Sequence, residues 1–385
     1  MRRRVAAVTG SRAEFGLLRP ILQELRRRPG VDLKLAVTGL HLLAGYGNTI
    51  DDIRRSGIPI EGTVPMYEGE IEDPRYHGRA LARGVDGFTL LLSEWRPHFV
   101  LVLGDRLEPL AAILAASTLN LGIAHIHGGD RATGSHIDEQ IRHAITKFAH
   151  LHLAATEASA ERVRRMGEEP SRIHVVGAPA LDAIRTLEIP SEADVRRRLN
   201  LPAKGPFGVF VYHATIHAGE QAGAEARMAL EALFATVGHV VVVRPNNDAG
   251  NQHVRAVLAS IDPARGVRAF DHLEPALYYG ALTHAAVMVG NSSSGIIEAR
   301  FFGLPVVNVG ERNRGRECAR NVAFVDASPK AIASALARAT GDKAYRKLCR
   351  TCPNPYGKGH AAKGIADALE KAEIDEMLLK KGMTY

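Results

Sequence analysis

The 385-residue sequence has little cysteine, few aromatic residues and no long apolar stretch. Three cysteines cannot supply a disulfide framework, so a reducing, cytoplasmic location is expected. No apolar run approaches the roughly 18 residues that a membrane-spanning helix needs, and the apolar run after the basic residues 2–4 is too short for a signal peptide. At 5%, aromatic side chains are sparse for the stacking surfaces of single-strand nucleic-acid binding. Neither a membrane nor a nucleic acid is therefore expected as a partner.

The bulk composition is that of an ordinary globular protein, with 46% apolar and 24% charged residues. At roughly 100–200 residues per domain, the length predicts two domains, each able to bury a core of its own. The net charge of +7 permits an anionic partner such as a phosphate or a nucleotide, without choosing among them.

Short apolar runs alternate with helical patterns along most of the chain. The predicted strands include residues 5–10, 33–38, 99–103, 123–126 and 151–155 in the first half, and 209–212, 240–243, 267–270, 286–289 and 306–309 in the second. Such alternation is typical of parallel sheets covered by helices on both faces. We therefore predict an α/β fold with two doubly wound, Rossmann-like domains facing a cleft, the first over residues 1–185. Ligands are then expected beyond the carboxyl ends of the strands.

The strongest local signal for a ligand follows a predicted strand of the second half. The segment reads Gly290-Asn291-Ser292-Ser293-Ser294-Gly295. Small residues at a strand-to-helix turn leave backbone N–H groups free, and the helix dipole favours a phosphate there. Glu298 lies one helical turn further along, within reach of ribose hydroxyls. A serine-rich helix cap without a ligand is the alternative interpretation.

Titratable side chains follow two predicted strands of the first half. Asp105 ends one of them, and His127 and Asp130 follow the next. The helix expected from about residue 138 carries Asp138, Glu139, Arg142 and His143. Carboxylates and imidazoles that converge at strand ends are what the removal and return of a proton require. Ion pairing on an exposed helix face explains the helix residues as well, but explains Asp105 and Asp130 poorly.

Metal binding is not predicted, although histidines and an aspartate lie close together at positions 125, 127, 130 and 136. None of the ligand spacings of known zinc motifs is present. Cys349 and Cys352 form a lone CxxC pattern, which is interpreted as a structural coincidence and not as a zinc or redox site. No cofactor is expected.

Other candidates also follow predicted strands. His213 ends one strand of the second half, Asn246 lies in a loop after another, and Arg312 lies in an arginine-rich loop after a third. Guanidinium groups suit diphosphates because they offer paired donors. Arg12 follows the first strand of the chain, where it is either an anion contact or a solvated loop arginine.

Taken together, the motifs resemble those of the hydrolysing UDP-N-acetylglucosamine 2-epimerases of sialic- and legionaminic-acid pathways, over almost the whole chain. In the first half they are Gly10-Ser11-Arg12-Ala13-Glu14, Tyr46-Gly47-Asn48-Thr49, Gly104-Asp105-Arg106-Leu107-Glu108 and Ile141-Arg142-His143-Ala144-Ile145-Thr146-Lys147. In the second half they are Pro245-Asn246-Asn247-Asp248-Ala249-Gly250, the 290–295 segment, Gly315-Arg316-Glu317 and Asn354-Pro355-Tyr356-Gly357. Their order and coverage carry the resemblance, because each motif alone is weak.

The resemblance implies a GT-B-like pair of Rossmann domains, with a UDP-binding second domain over residues 186–365 and a last helix over 366–385 that packs on the first domain. It implies that UDP leaves by elimination across C1 and C2 of the sugar. Water then adds to the glycal and gives a free manno-configured sugar. The substrate would be UDP-N-acetylglucosamine or UDP-N,N'-diacetylbacillosamine, and the protein a homodimer or homotetramer.

Carried over by position, the resemblance implies acid/base roles for Asp105 and Asp138, and places His213 near the diphosphate and the reacting carbons. Glu298 would contact the ribose, while Asn246 and the loop at Leu273 would contact the nucleoside side. The expected substrate-binding residues are Arg12, Arg106, Arg142, His143, Asn246, Leu273, Asn291, Ser292, Ser293, Ser294, Gly295, Glu298 and Arg312.

One position departs from the family's pattern, since His127 stands where many relatives have glutamate. The hypothesis is that His127 or Asp130 takes the acid/base role of that glutamate. A non-hydrolysing 2-epimerase and a GT-B glycosyltransferase share the fold and stay open as alternatives. The motifs at residues 11–14 and 141–147 look more like the hydrolysing branch. A basic nucleotide- or nucleic-acid-binding module without catalysis ranks last.

Overall fold

The computed structural model describes residues 2–46, 49–69, 73–131, 136–214, 219–245, 251–261 and 266–385. This part of the chain forms two compact units. Unit 1 comprises residues 2–131, 136–185 and 356–385, and unit 2 comprises residues 186–355 apart from those outside the described ranges. None of the described helices is long and apolar enough to cross a membrane.

The elements alternate between strand and helix along most of the described chain. The strands are β1 (Arg3–Thr9), β2 (Val31–Thr38), β3 (Gly62–Val64), β4 (Phe99–Leu103), β5 (Gly122–Ile126), β6 (Leu151–Ala154), β7 (Ile173–Val175), β8 (Gly208–Val211), β9 (Val240–Val243), β10 (Val267–Phe270), β11 (Val287–Gly290), β12 (Val306–Val309) and β13 (Val322–Val325). The helices are α1 (Arg12–Arg27), α2 (Ile50–Arg55), α3 (Tyr76–Trp95), α4 (Leu107–Thr118), α5 (His136–Phe148), α6 (Glu157–Arg165), α7 (Pro179–Arg185), α8 (Glu192–Arg198), α9 (Gly219–Val237), α10 (Asn251–Ala259), α11 (Pro275–His284), α12 (Ser293–Ile297), α13 (Pro329–Gly341), α14 (Lys343–Thr351), α15 (Ala361–Lys371) and α16 (Glu376–Leu379).

Each unit is built on one parallel sheet. The strand order is β3-β2-β1-β4-β5-β6-β7 in unit 1 and β10-β9-β8-β11-β12-β13 in unit 2. In both sheets the order reverses beside the first strand, between β1 and β4 and between β8 and β11. Loops that leave the two strands of a reversal diverge to opposite faces and open a crevice, which is where ligands bind in such sheets. The predicted α/β class with two doubly wound, Rossmann-like units is thereby confirmed.

Both faces of each sheet are covered by helices, because successive strand residues point to opposite sides. In β1, Val5 and Ala7 pack in one core with residues of α1 and α15, whereas Ala6 and Val8 pack in another with residues of α3 and α4. The carboxyl-terminal residues of β1, β4, β8 and β11, from which the crevice loops start, are therefore buried between helices.

The C-terminal segment belongs to unit 1 from Tyr356 onward, ten residues before the start of the predicted last helix region at 366. Ile365 and Leu369 of α15 are buried in the same core as residues of α1. The carboxylate of Asp182 accepts hydrogen bonds from the N–H groups of Ala361 (2.9 Å) and Ala362 (3.0 Å) and closes the N-terminus of α15. The turn at residues 353–360 has no hydrophobic period, so its sequence does not indicate which core it joins.

Candidate active site

The crevice side of unit 1 is organised around one buried guanidinium. Arg142 of α5 is 5% exposed and donates through Nη2 to Oδ2 of Asp105, which follows β4. Its Nη1 donates to Oε2 of Glu139 at 2.9 Å and to the carbonyl oxygen of Asp130 at 2.8 Å. Acceptors and opposite charges of this kind offset the loss of hydration of a buried guanidinium. Arg142 therefore ties α5 to the loops after β4 and β5, and it brings together residues predicted from separate motifs.

Two further predicted residues lie on α5. Asp138 is half-buried in the first turn, one helical turn before Arg142. Nε2 of His143 is 3.4 Å from Oε1 of Glu139, the pairing that an exposed helix face would also show. Arg142 does not fit that alternative, because its side chain points into unit 1 and not into solvent.

The loop after β5 holds His127 and Asp130 in a hydrogen-bonded pair. Nδ1 of His127 is 2.7 Å from Oδ2 of Asp130, and the hydroxyl of Ser159 in α6 donates to Oδ1 at 2.7 Å. Gly129 permits this approach of α6, since a Cβ there would lie 2.2 Å from the carbonyl oxygen of Ser159. Ser159 was not predicted, and its partnership depends on how α6 packs.

Arg12 and Arg106, predicted as substrate-binding residues, lie at the starts of α1 and α4. Nε of Arg12 is 3.5 Å from Oδ2 of Asp52, and its side chain is 59% exposed. Nε of Arg106 donates at 3.3 Å to Oε2 of Glu108, with 45% of the Arg106 side chain exposed. Both guanidinium groups are accessible to an anion at the strand-order reversal of unit 1.

Two buried carboxyl groups at this reversal had no role assigned from the sequence. Glu108 is 0% exposed and accepts a hydrogen bond from the hydroxyl of Tyr67 at 3.1 Å. Glycines make room for it: a Cβ at Gly10 or at Gly39 would lie 2.6 Å from atoms of the Glu108 side chain. The paired glycines after β1 and β2 are a sequence signal that could have indicated this close approach, but it was not recognised.

The second buried carboxyl group, Glu14, has an altered acidity. Burial raises the pKa of Glu14 to about 8, against the lowering effect of the hydrogen bond that Oε2 accepts from the N–H of Gly10 at 2.8 Å. The neighbouring carboxylate of Glu108 raises the pKa further. Oε1 of Glu14 has no hydrogen-bond partner among the described residues, so no hydrogen bond at that oxygen stabilises the ionised carboxylate.

Replacing Glu14 by glutamine is expected to change how stability depends on pH. Between the unfolded pKa of 4.5 and the folded value of about 8, the folded protein holds one more proton than the unfolded chain. Wild-type stability therefore falls as pH rises through this window, by about 1.4 kcal/mol per pH unit from this group. Glutamine cannot ionise, so the melting temperature of Glu14→Gln relative to wild type should rise from pH 5 to pH 8 and level off above. The exposed Glu94→Gln variant is the control; a difference independent of pH would contradict the prediction.

In unit 2 the chain leaves β11 through Gly290, Asn291 and Ser292. The side-chain amide of Asn291 is held at both ends by the backbone of His213: Oδ1 accepts from its N–H at 2.7 Å, and Nδ2 donates to its carbonyl oxygen at 2.8 Å. Asn291 thus fixes His213 at the end of β8, and its amide is directed to this backbone. The predicted phosphate loop and His213 consequently lie side by side at the strand-order reversal.

The three serines of the loop differ in what they can offer a ligand. Ser292 caps α12, its Oγ accepting from the N–H of Ser294 at 3.3 Å. The hydroxyl of Ser294 donates to Oε2 of Glu298 at 2.7 Å and accepts from Tyr278 at 2.8 Å, so it is directed into unit 2. Burial raises the pKa of Glu298. The hydroxyl of Ser293 has no hydrogen bond within the described residues and is the one available to a ligand.

Gly295 and Arg312 complete this loop region. A Cβ at Gly295 would lie 3.0 Å from Cγ1 of Val306, so the glycine lets α12 pack on β12. Nη1 of Arg312 donates to the carbonyl oxygen of Asn291 at 2.9 Å. Beside it is a cavity of about 470 Å³, lined by residues that include Tyr212, His213, Glu225, Asn291, Glu311, Arg312 and Asp326.

Two further residues, Leu273 and Asn246, were predicted to lie on the nucleoside side of the ligand. Leu273 is 7% exposed and packs in an apolar core of unit 2, so its side chain is committed to packing and not to a nucleoside. Apolar residues are commonly core, and the nucleoside contact predicted for the loop at Leu273 stays a prediction. Asn246 lies outside the described residues.

Two Rossmann-like units, each with polar side chains where its strand order reverses, place the protein in the GT-B-like class. Residues 23–370 match the family described as UDP-N-acetylglucosamine 2-epimerase. The chain belongs to the UDP-N-acetylglucosamine 2-epimerase family, which confirms the family inferred from the motifs.

Individual relatives agree with this assignment. A UDP-N,N'-diacetylbacillosamine 2-epimerase (hydrolyzing) of Legionella pneumophila is 35% identical over the full length of both chains. A UDP-N-acetylglucosamine 2-epimerase of Neisseria meningitidis is 31% identical over 88% of this chain and 87% of that protein. Among solved structures, a Neisseria meningitidis UDP-GlcNAc 2-epimerase bound to UDP-GlcNAc has a TM-score of 0.75 at 19% identity, over 96% of this chain and all of that one. The last comparison concerns the fold alone.

Proposed function

We propose that the protein is a hydrolysing 2-epimerase, which converts a UDP-2-acetamido sugar into UDP and the free manno-configured 2-acetamido sugar. The substrate is UDP-N,N'-diacetylbacillosamine or UDP-N-acetylglucosamine. The observation that carries the proposal is the carboxylate of Asp105, held by the buried Arg142 at the strand-order reversal of unit 1. A carboxylate so placed serves proton transfer, for which simple nucleotide binding has no need.

The reaction requires proton transfer at C2 of the sugar and stabilisation of the departing UDP. We assign the first to unit 1 and the second to unit 2. The C2 proton of the sugar is weakly acidic, so its removal needs a positioned base, and its return on the other face needs a second group. Unit 1 supplies the carboxylates of Asp105 and Asp138 as candidates for proton transfer at C2. In this proposal UDP departs with the electrons of the C1–O bond, and the glycal that remains is hydrated at C1.

Unit 2 would bind the departing UDP. A diphosphate that gains charge as its bond to C1 breaks is stabilised by cations and by N–H donors aimed at it. Arg312, His213 and the hydroxyl of Ser293 are the groups of unit 2 suited to this. Glu298, beyond the phosphate loop, would accept from ribose hydroxyls.

Hydrolysis is favoured over the alternatives by the Legionella relative, whose name states that activity and which this chain matches over its whole length. A non-hydrolysing 2-epimerase would use the same carbons but return a UDP-sugar. A GT-B glycosyltransferase would use the same UDP site, with no evident need for the carboxylates of unit 1.

A time course by proton and phosphorus NMR in D2O tests the proposal, with each of the two UDP-sugars in turn. We expect stoichiometric free UDP and a manno-configured sugar that carries deuterium at C2. A UDP-linked manno sugar without free UDP would assign the non-hydrolysing reaction. Sugar transfer to an added acceptor without deuterium at C2 would assign a glycosyltransferase, and UDP binding without turnover of either sugar would overturn the proposal.

A further inference from the structure

The backbone of His127 is exceptional within the described chain. Four residues other than glycine have a left-handed φ there: Arg96, Asn120, His127 and Asn200. The other three follow or end helices α3, α4 and α8, where a left-handed residue commonly terminates the helix. His127 instead follows β5, with φ of +67°. An unfavourable backbone conformation at a strand end is retained where the surrounding contacts require that side chain in that place.

Those contacts orient the imidazole ring. A carboxylate only accepts hydrogen bonds, so the 2.7 Å contact with Oδ2 of Asp130 places the proton of the neutral ring on Nδ1 of His127. The lone pair is then on Nε2, which has no hydrogen-bond partner among the described residues. Asp130 is itself held, because Oδ1 accepts from Ser159 at 2.7 Å and its carbonyl oxygen accepts from Arg142 at 2.8 Å. A base whose tautomer is set by a fixed carboxylate is the arrangement that proton abstraction uses.

His127 and Asp105 belong to one network. Leu103 and Ile126 are register partners in β4 and β5, so the residues that follow them leave the sheet at the same edge. Arg142 bonds the side chain of Asp105 and the backbone of Asp130 at once. The His127 side chain is 13% exposed and that of Asp105 is 23% exposed, so both are within reach of a ligand.

The other charged or titratable groups around His127 come from three elements. Arg142 lies in α5, and Arg162 of α6 donates to the carbonyl oxygen of Gly129 and to Oγ of Ser159 at 3.1 Å. Burial lowers the pKa of His125 in β5 to about 3, so that ring is neutral at any working pH. Asp130 is the acidic side chain in direct contact with the His127 ring.

We propose that His127 is a proton-transfer group of this site, with Asp130 as the residue that positions it; this inference rests on the proposed function. Nε2 of His127 takes the proton from C2 of the sugar. The electron pair of the broken C2–H bond forms the C1=C2 bond, and the electron pair of the C1–O bond leaves with UDP. The imidazolium later returns its proton to solvent. Asp105 or Asp138 then donates a proton to C2 on the opposite face as water adds at C1.

Two substitutions at His127 separate chemistry from structure. His127→Asn tolerates the left-handed backbone but has no base, so it should lower kcat about 100-fold or more. His127→Glu restores a base, and it should recover at least about a tenth of the wild-type kcat. Because a free carboxyl titrates about two pH units below a free imidazole, this variant should also move the acidic limb of kcat/KM to lower pH. His77→Asn, at an exposed position in α3, is the matched control and should leave activity unchanged.

Asp130→Asn tests the positioning role. It should lower kcat with little change in KM, and it should alter the pH profile of kcat/KM, which a purely structural defect would not move. Melting curves of all variants establish that they are folded. Unchanged UDP release and C2 deuteration in folded His127→Asn would overturn the inference while the proposed function stands, as would a His127→Glu variant with no recovered activity. Absence of turnover by the wild type with both UDP-sugars would overturn both.

Discussion

Asp105→Asn is expected to lower kcat by about 1,000-fold while the protein stays folded. The substitution preserves shape, and the asparagine Oδ1 still accepts the hydrogen bond from Nη2 of Arg142. Arg142 also retains its hydrogen bonds to Glu139 and to the carbonyl oxygen of Asp130, so its buried charge stays compensated. What disappears is the carboxylate itself, as charge and as proton acceptor. UDP release by the purified variant measures the loss, and a thermal melt shows that the fold is kept.

The matched control for Asp105→Asn is Asp86→Asn, an exposed aspartate of α3 in the same unit. It should retain wild-type kcat and KM. Activity of Asp105→Asn within about tenfold of wild type would show that this carboxylate does not transfer a proton, since general acid–base groups contribute 100-fold or more. A large rise in KM with unchanged kcat would instead assign Asp105 to substrate binding.

The central strands were predictable because a buried parallel strand is a short, uninterrupted apolar run. The bounds of β4 (Phe99–Leu103), β9, β10 and β12 were predicted exactly, and those of β5 to within one residue. Of the four edge strands, β10 was predicted, whereas β3, β7 and β13 were missed for the opposite reason. Gly62–Val64 of β3 has three residues, one of them exposed, and Ile173–Val175 of β7 is only partly buried. Such strands form because a neighbour offers free backbone groups, which no local pattern records.

The candidate site was predicted at the level of loops and not of contacts. Chemistry-bearing residues follow strands, and parallel strands end at one edge, so a sequence places Asp105 and Asp130 at the same edge. Strand order then decides which loops are neighbours. That β4 lies between β1 and β5 is a tertiary fact, and it is what lets Glu108 occupy the space above Gly10.

Burial was the least predictable property. Arg142 was expected as one of several polar residues on α5, yet it is 5% exposed and bridges two loops. Leu273 lies in a loop expected near the nucleoside, and its side chain is buried in the core. Ser294 lies in the predicted phosphate loop, but its hydroxyl is directed to Glu298. Within a loop or on one helix, adjacent residues point in different directions, and only the packing of neighbouring elements selects which of them reaches a ligand.

Gly290→Ala is expected to cost unit 2 about 3–5 kcal/mol, the sum of a strained backbone and an overlap that no side-chain rotation relieves. Gly290 has φ of +138°, and a Cβ there would lie 1.9 Å from the carbonyl oxygen of Val211 and 2.6 Å from its carbonyl carbon. To relieve the overlap, β11 must move away from β8, although the two strands are paired through Gly290 and Val211. The melting temperature should fall by about 10 °C or more.

The same displacement should reach the candidate ligand site. The Asn291 side chain is hydrogen-bonded to the backbone of His213, and the backbone carbonyl oxygen of Asn291 accepts a hydrogen bond from Arg312. Affinity for UDP should therefore fall by at least about tenfold even at temperatures where Gly290→Ala is folded, as calorimetric titration with UDP would show. Gly341→Ala is the control in the same unit, since a Cβ there meets no atom within 4 Å. A Gly290→Ala protein that melts and binds UDP like Gly341→Ala would mean that β8 and β11 are not held in this register. The strand-order reversal would then not be the rigid support on which the phosphate loop depends.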